Sequence, residues 1–270
     1  MSGAGWHRRG TLAAMSTADI VEAPAKLTLS LRITGVRADG YHLIDAEMIA
    51  LDLHDTLTIT LNTPGAPDTP GMPHTTGLSA DGPFAAGVPL DGSNLVAKAL
   101  VLANRNAAVH LHKQIPHGGG LGGGSADAAA VLRWAGFTDL VAAARLGADV
   151  AFCLVGGRAR VLGIGEIVEP LPPQPLDISL VIPPLAVSTP AAYRAWDQLG
   201  GPRADGPNDL EPAAIAVEPR LAEWRDRIAA TCGVAPTLAG SGATWFVRGH
   251  HQALRALEPE ARVVFTRAQM

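Results

Sequence analysis

Six glycines fall within the eight residues GGGLGGGS at positions 118–125. A backbone stripped of Cβ atoms can turn through positive φ and lie close against another group, so this segment restricts the fold more than any other. Before it, AAVHLH at 107–112 alternates like a strand; after it, Ser125 to Trp134 is rich in the helix formers Ala and Leu and halts at Gly136. Strand, glycine loop, helix is the order in which loop N–H groups and a helix dipole converge on a phosphate. The alternative is a flexible linker, against which stand the strand pattern that enters and the helix pattern that leaves. No Lys-Ser or Lys-Thr follows the glycines, which excludes a Walker A loop. The loop does contain GxGxxG as Gly118, Gly120 and Gly123, with Asp139 near the distance of a ribose-binding acid, so a dinucleotide oxidoreductase stays open. Against it, residues 126–147 read as helix with one break, leaving no second parallel strand.

A chain of 270 residues builds one large domain or two modest ones, and the cluster Pro170, Pro172, Pro173 and Pro175 marks a lobe boundary near 165–176. The expected division is a disordered extension at 1–18 and two units at 19–168 and 169–270. With 47% hydrophobic and 17% charged residues, the chain has ample apolar side chain for a packed core. A net charge of -4 and only 4% aromatics provide no footprint for nucleic acid. Cys153 and Cys232 form no CxxC and no disulfide framework, which fits a reducing cytoplasm. Gly, Pro or charge interrupts every apolar run short of the ~18 residues of a membrane span. The opening MSGAGWHRRGTLAAM lacks a signal-peptide apolar core, and Met15 is an alternative start.

KLTLSLRI at 26–33 alternates strictly, with Leu27, Leu29, Leu31 and Ile33 on one face and Lys26, Thr28, Ser30 and Arg32 on the other. With TLTITL at 56–61 it predicts an antiparallel sheet. Residues 62–93 carry turn formers without periodicity and read as a surface excursion. NLVAKALVLANR, DLVAAARLG, AAYRAW and LAEWRDRIAA are helical; RARVLGIGE, ISLVIPP, TWFVRG and RVVFTR are strand-like. From the residues alone, Lys26 is a solvated strand lysine, Asp149 and Ser125 are helix N-caps, and Asn94 and Lys113 are a helix cap and a surface strand end. His110 and His112 share one side of a strand with no third ligand apparent, which argues against a metal site.

KQIPHGGGLGGGSADAAAVL at 113–132 closely resembles the ATP-binding motif of GHMP kinases. APAKLTLSL at 23–31, RADGYHLI at 37–44, SNLVAKA at 93–99, LGADVAF at 146–152, NDLEPAA at 208–214 and LAGSGATWF at 238–246 are similar to one branch of that family. Members of that branch phosphorylate a hydroxyl of a cytidine diphosphate conjugate in isoprenoid precursor synthesis. The resemblance implies an α/β (α+β) two-lobe GHMP kinase fold with mixed sheets, an active site between the lobes, and ATP with Mg²⁺ as cofactors. It implies a monomer or homodimer with small-molecule partners only.

By the same resemblance, Lys26 and Asp149 are catalytic, the lysine orienting the hydroxyl and offsetting phosphate charge, the aspartate accepting the hydroxyl proton. Asn94, Lys113, Pro116, Gly118, Gly119, Gly120, Leu121, Gly122, Gly123, Gly124 and Ser125 bind ATP, with Ser125 also at the metal. Thr28, Tyr41, His42, Asp149, Thr189, Tyr193, Gly240 and Ser241 meet the acceptor, Tyr41, His42 and Tyr193 holding its cytosine. Tyr193 stands where the family usually has Phe, Thr28 where it usually has Asn, and Ala126 where a second hydroxyl is frequent. The Gly240–Ser241–Gly242 turn is expected against the substrate diphosphate or the first loop.

Overall fold

The computed structural model describes residues 18–61, 77–116 and 118–270. The expected extension at 1–18, with Met15, lies outside the described residues except for Ala18. That residue opens β1 (Ala18–Val36), which pairs antiparallel with β2 (His42–Leu61). Both strands are far longer than the alternating runs at 26–33 and 56–61, because Pro24 and the polar pairs at 52–55 interrupt the pattern without ending the ladder. Register shifts between Pro24 and Lys26, between Thr28 and Ser30, and between Ile33 and Gly35 absorb the irregularities.

The far edge of β2 is shared. Its C-terminal half pairs with β4 (Ala107–His112), its N-terminal half with β5 (Arg158–Gly163), which in turn pairs with β6 (Ile167–Pro170). The excursion expected at 62–93 is not wholly loop: β3 (Leu78–Asp81) adds a parallel strand to β4, too short and polar to show a period. Residues 62–76 are outside the described set. Against this six-stranded sheet pack α1 (Leu95–Leu102), α2 (Gly123–Trp134), α3 (Leu140–Leu146) and α4 (Val150–Val155). Ala126, Ala128, Ala129, Ala130, Val131 and Leu132 of α2 are buried with Leu27 and Leu29 of β1 in the main core.

β7 (Asp177–Ile182) starts a second sheet, ordered β10 (Arg262–Arg267), β7, β9 (Trp245–Arg248), β8 (Thr237–Leu238). It is buried on both faces. Ile178, Leu180 and Phe246 join the core of the first sheet, whereas Val181, Trp245, Val247 and Val263 join a second core completed by Leu221, Trp224 and Ile228 of α7 (Arg220–Cys232). That explains the unbroken apolar run ISLVI. α5 (Thr189–Gln198) and α6 (Glu211–Val217) complete this half.

The topology removes the dinucleotide fold. After the glycine loop the chain runs through α2, α3 and α4 into β5, which is antiparallel to β2, and Asp139 caps α3 by accepting from the Ala142 N–H at 3.0 Å. No described helix is long and apolar enough to cross a membrane.

Candidate active site

A cleft of about 450 Å³ opens between the first sheet and α5, lined by β1, the glycine loop, the N-terminal ends of α1 and α4, and the 240–242 turn. On its wall the polar face of β1 is not solvated. Lys26 is 4% exposed and Thr28 2%, because the glycine loop and the 240–242 turn lie over them. The Lys26 backbone N–H donates to the Leu121 carbonyl at 3.0 Å, so loop and strand are joined at this residue. Its ammonium donates to Thr28 Oγ1 at 3.2 Å and sits 3.2 Å from Asp149 Oδ2. A lysine has three N–H donors, so one is left for a ligand in the cleft.

Asp149 precedes α4, yet its side chain makes no capping hydrogen bond. The carboxylate instead turns to the cleft and Lys26, with 30% of the side chain exposed. The N-cap expected of this residue is therefore a matter of backbone position only.

The glycines are needed for contact as well as for turning. A Cβ on Gly122 (φ +68) would stand 2.7 Å from Lys26 Cγ, so only glycine lets the loop rest on the lysine stem. Gly120 (φ +78) passes as closely by the carbonyls of Ala239 and Gly242. The two small-residue turns thus touch, and the Thr244 N–H donates to the Gly119 carbonyl at 3.2 Å. Asn208, buried, fixes the second turn: its amide donates to the carbonyls of Leu238 and Gly240, and its Oδ1 accepts from the Leu210 N–H. Ser241 Oγ is 2.8 Å from Thr189 Oγ1, tying the turn to α5.

The helix after the loop begins at Gly123, with Gly122 as its cap, so Ser125 is within the first turn rather than at the N-cap. Its hydroxyl lines the cleft near Gly147, where a Cβ would be 3.8 Å away. Ala126 is 1% exposed and faces the core, so a hydroxyl there would not reach the cleft. Leu121 likewise buries its side chain and contributes only backbone.

Lys113 is not a surface strand end. It is 4% exposed and held between the carboxylates of Asp55 and Asp127. Asp55 Oδ1 also accepts the N–H groups of Gln114 and Ile115, the latter at 2.8 Å. The triad stitches β2, the exit of β4 and the first half of α2 together at the base of the glycine loop. Desolvation pulls the Lys113 pKa down, but the charges of Asp127 and Asp55 outweigh it and the net shift is upward. Burial pushes the Asp127 carboxyl well above the ordinary carboxylate range, and its Oδ1 has no protein partner among the described residues. Neither acid had a role in the sequence reading. Asp55 is one of four acids along β2, with nothing local to mark it out, and Asp127 is hidden inside the glycine-loop motif.

At the other end of the cleft, His42 lies beside Tyr193, ring centroids 4.7 Å apart, and edge-on to Trp196 at 5.5 Å. His42 Nε2 is 2.8 Å from Asp197 Oδ1. Burial, with the Asp149 charge in second place, raises the Tyr193 pKa, keeping the phenol neutral. Tyr41 stands apart: it is 59% exposed at the turn between β1 and β2 and does not line the cleft. Asn94 lines it but is also the helix cap, its Oδ1 accepting from the Val96 N–H at 2.8 Å and its amide donating to the Pro89 carbonyl. Thus Lys26, Thr28, His42, Asn94, Lys113, Pro116, Ser125, Asp149, Thr189, Tyr193, Gly240, Ser241 and the loop glycines 118–120 and 122–124 converge on one cleft, while Tyr41 and Leu121 do not line it.

His110 and His112 do meet a third polar group, Asp81, at 3.4 Å and 2.6 Å. Among the described residues no group of three or more His, Cys, Asp or Glu has the arrangement of a metal site.

The family model for the GHMP kinases N terminal domain matches residues 94–157. A 4-diphosphocytidyl-2-C-methyl-D-erythritol kinase of Paracoccus denitrificans is 40% identical over 83% of this chain and 84% of its own length. Its counterpart in Ruegeria pomeroyi is 38% identical over 83% and 86%. A crystal structure of a 4-(cytidine 5'-diphospho)-2C-methyl-D-erythritol kinase superposes with a TM-score of 0.72 at 31% identity, over 93% of this chain and 100% of that one.

Proposed function

The chain belongs to the family of 4-diphosphocytidyl-2-C-methyl-D-erythritol kinases, GHMP-type phosphotransferases with an alcohol acceptor, and from that premise we propose how its cleft works. The γ-phosphoryl group of ATP passes in line to the 2-hydroxyl of 4-diphosphocytidyl-2-C-methyl-D-erythritol, a step of the non-mevalonate route to isoprenoid precursors. The observation that carries this reading is the pairing of Lys26 with Asp149 at 3.2 Å, beside a glycine loop that rests on the lysine stem.

Asp149 accepts the hydroxyl proton as the oxygen attacks phosphorus; Lys26 holds the Asp149 carboxylate in place and directs its remaining N–H at the transferring group. The N–H groups of the loop at 118–124 and the positive end of α2 hold the ATP phosphates. Asn94 and the backbone near Lys113 border the nucleoside. Thr28, Thr189, Gly240 and Ser241 border the acceptor's polar chain, and His42 with Tyr193 borders its cytosine. Ser125 Oγ is a hard oxygen donor in the cleft, suited to Mg²⁺ that otherwise takes phosphate and water oxygens; bound there, the ion would offset phosphate charge. The chain divides into an ATP-binding unit at 19–168 and a substrate-binding unit at 169–270, a boundary that falls within β6 at the edge of the first sheet.

The test is ADP release from ATP, Mg²⁺ and the cytidyl acceptor. Wild-type turnover with a loss of at least about a hundredfold in Asp149→Asn is expected. No ADP from this acceptor, or undiminished turnover in the variant, overturns the reading.

A further inference from the structure

The cleft's base end carries one more element, from outside every motif in the sequence. Asp197, in the last turn of α5, meets His42 Nε2 at 2.8 Å and keeps half of its own side chain in solvent, whereas the His42 side chain is only 10% exposed. Tyr193 and Trp196 hold the ring's plane from two sides. The ring has therefore one nitrogen committed to a carboxylate, and no described hydrogen bond occupies Nδ1.

We propose that Asp197 is a specificity-determining positioning residue: by accepting from Nε2–H it holds His42 in the tautomer whose Nδ1 is an acceptor, and that acceptor selects cytosine over uracil. The physical reason is the base edge. A carboxylate only accepts, so the proton of the neutral imidazole stays on the nitrogen that faces it, and the other nitrogen presents a lone pair. At position 4 cytosine carries an amino donor and uracil a carbonyl acceptor. A lone pair there bonds the first and opposes the second. A carboxylate behind the ring also makes its free nitrogen a better acceptor, as it does for ring nitrogens that bind metals.

This inference rests on the cytosine-binding part of the proposed function and is tested without turnover. Long-range ¹H–¹⁵N spectra of the full chain report the His42 tautomer, and titration with cytidine diphosphate or uridine diphosphate in the same spectra reports binding at that ring. In the wild-type chain His42 is expected as the Nε2–H tautomer, with cytidine diphosphate bound about tenfold more tightly than uridine diphosphate. Asp197→Ala is expected to mix the tautomers and shrink that ratio to about two or less, with the KM for ATP unchanged. Glu in place of Asp197 restores part of the ratio. An Nδ1–H tautomer in the wild-type chain, or a base preference equal in wild type and Asp197→Ala, overturns the proposal. Failure of the parent reading shows separately, as absence of ADP release from the cytidyl acceptor.

Discussion

Lys26 and Lys113 are buried to the same degree, 4% exposed each, and both border the glycine loop, yet their surroundings differ in one respect. Lys26 shares its ammonium between Thr28 and a single carboxylate, Asp149, that reaches the cleft. Lys113 is enclosed by two carboxylates, Asp55 and Asp127, whose side chains are 0% and 4% exposed. A buried cation whose counter-charge is partly solvated and reaches the cleft can act on a ligand; one enclosed by two interior acids holds elements together. Burial of a lysine therefore says little about its task, and the count and exposure of its partners say much.

The sharpest way to break the comparison is to remove one charge from each cluster in turn. Asp149→Asn should lower kcat by 10²–10⁴-fold, measured by ADP release, with the urea midpoint nearly unmoved, because the position is part-solvated. Lys113→Met should do the reverse. Leaving two buried carboxylates facing each other costs about 3–5 kcal/mol in urea unfolding, while the folded fraction retains most of its kcat. If the two variants lose activity and stability in the same proportion, the division of labour between the lysines is wrong.

A third, smaller effect comes from the loop that both lysines border. Gly122→Ala places a side chain at positive φ, costing about 1–2 kcal/mol, and displaces the Lys26 stem. kcat should fall about tenfold in consequence, with the KM for the acceptor the lesser change. Smallest is the pH effect of Asp127→Asn. The folded-state pKa of Asp127 is raised by burial, so the folded chain holds a proton the unfolded chain releases, and stability declines as pH climbs from the ordinary carboxylate value of 3.8 toward neutrality. Asn in its place removes that decline, read as a flatter curve of unfolding midpoint against pH.

Much of this molecule could be read along the chain. The order strand, glycine loop, helix around 107–134, the helical patterns from Asn94 and from Leu140, and the apolar strand at 178–182 all appear in the structure, because each rests on short-range periodicity and on glycine's backbone freedom. The full lengths of β1 and β2 were not legible. Long-range pairing carries them through Pro24 and the polar residues near Asp52, which interrupt any local pattern. β3 was missed for a similar reason: its pairing with β4, rather than its own four residues, makes it a strand. Asp197 could not have been found at all, since only the fold brings α5 against His42.

What the sequence determined by itself was a glycine loop at the head of a helix, since the absence of Cβ atoms and the N–H groups that follow are properties of adjacent residues. Which charged side chains serve the cleft was decided by tertiary structure alone. Lys26 alternated like a solvated strand residue, and only the second turn at 240–242, the loop at 122 and Asp149 on α4 enclose it and give it a partner. The physical reason is that a charge takes its function from desolvation and from the neighbours that offset it, and those arrive from distant parts of the chain.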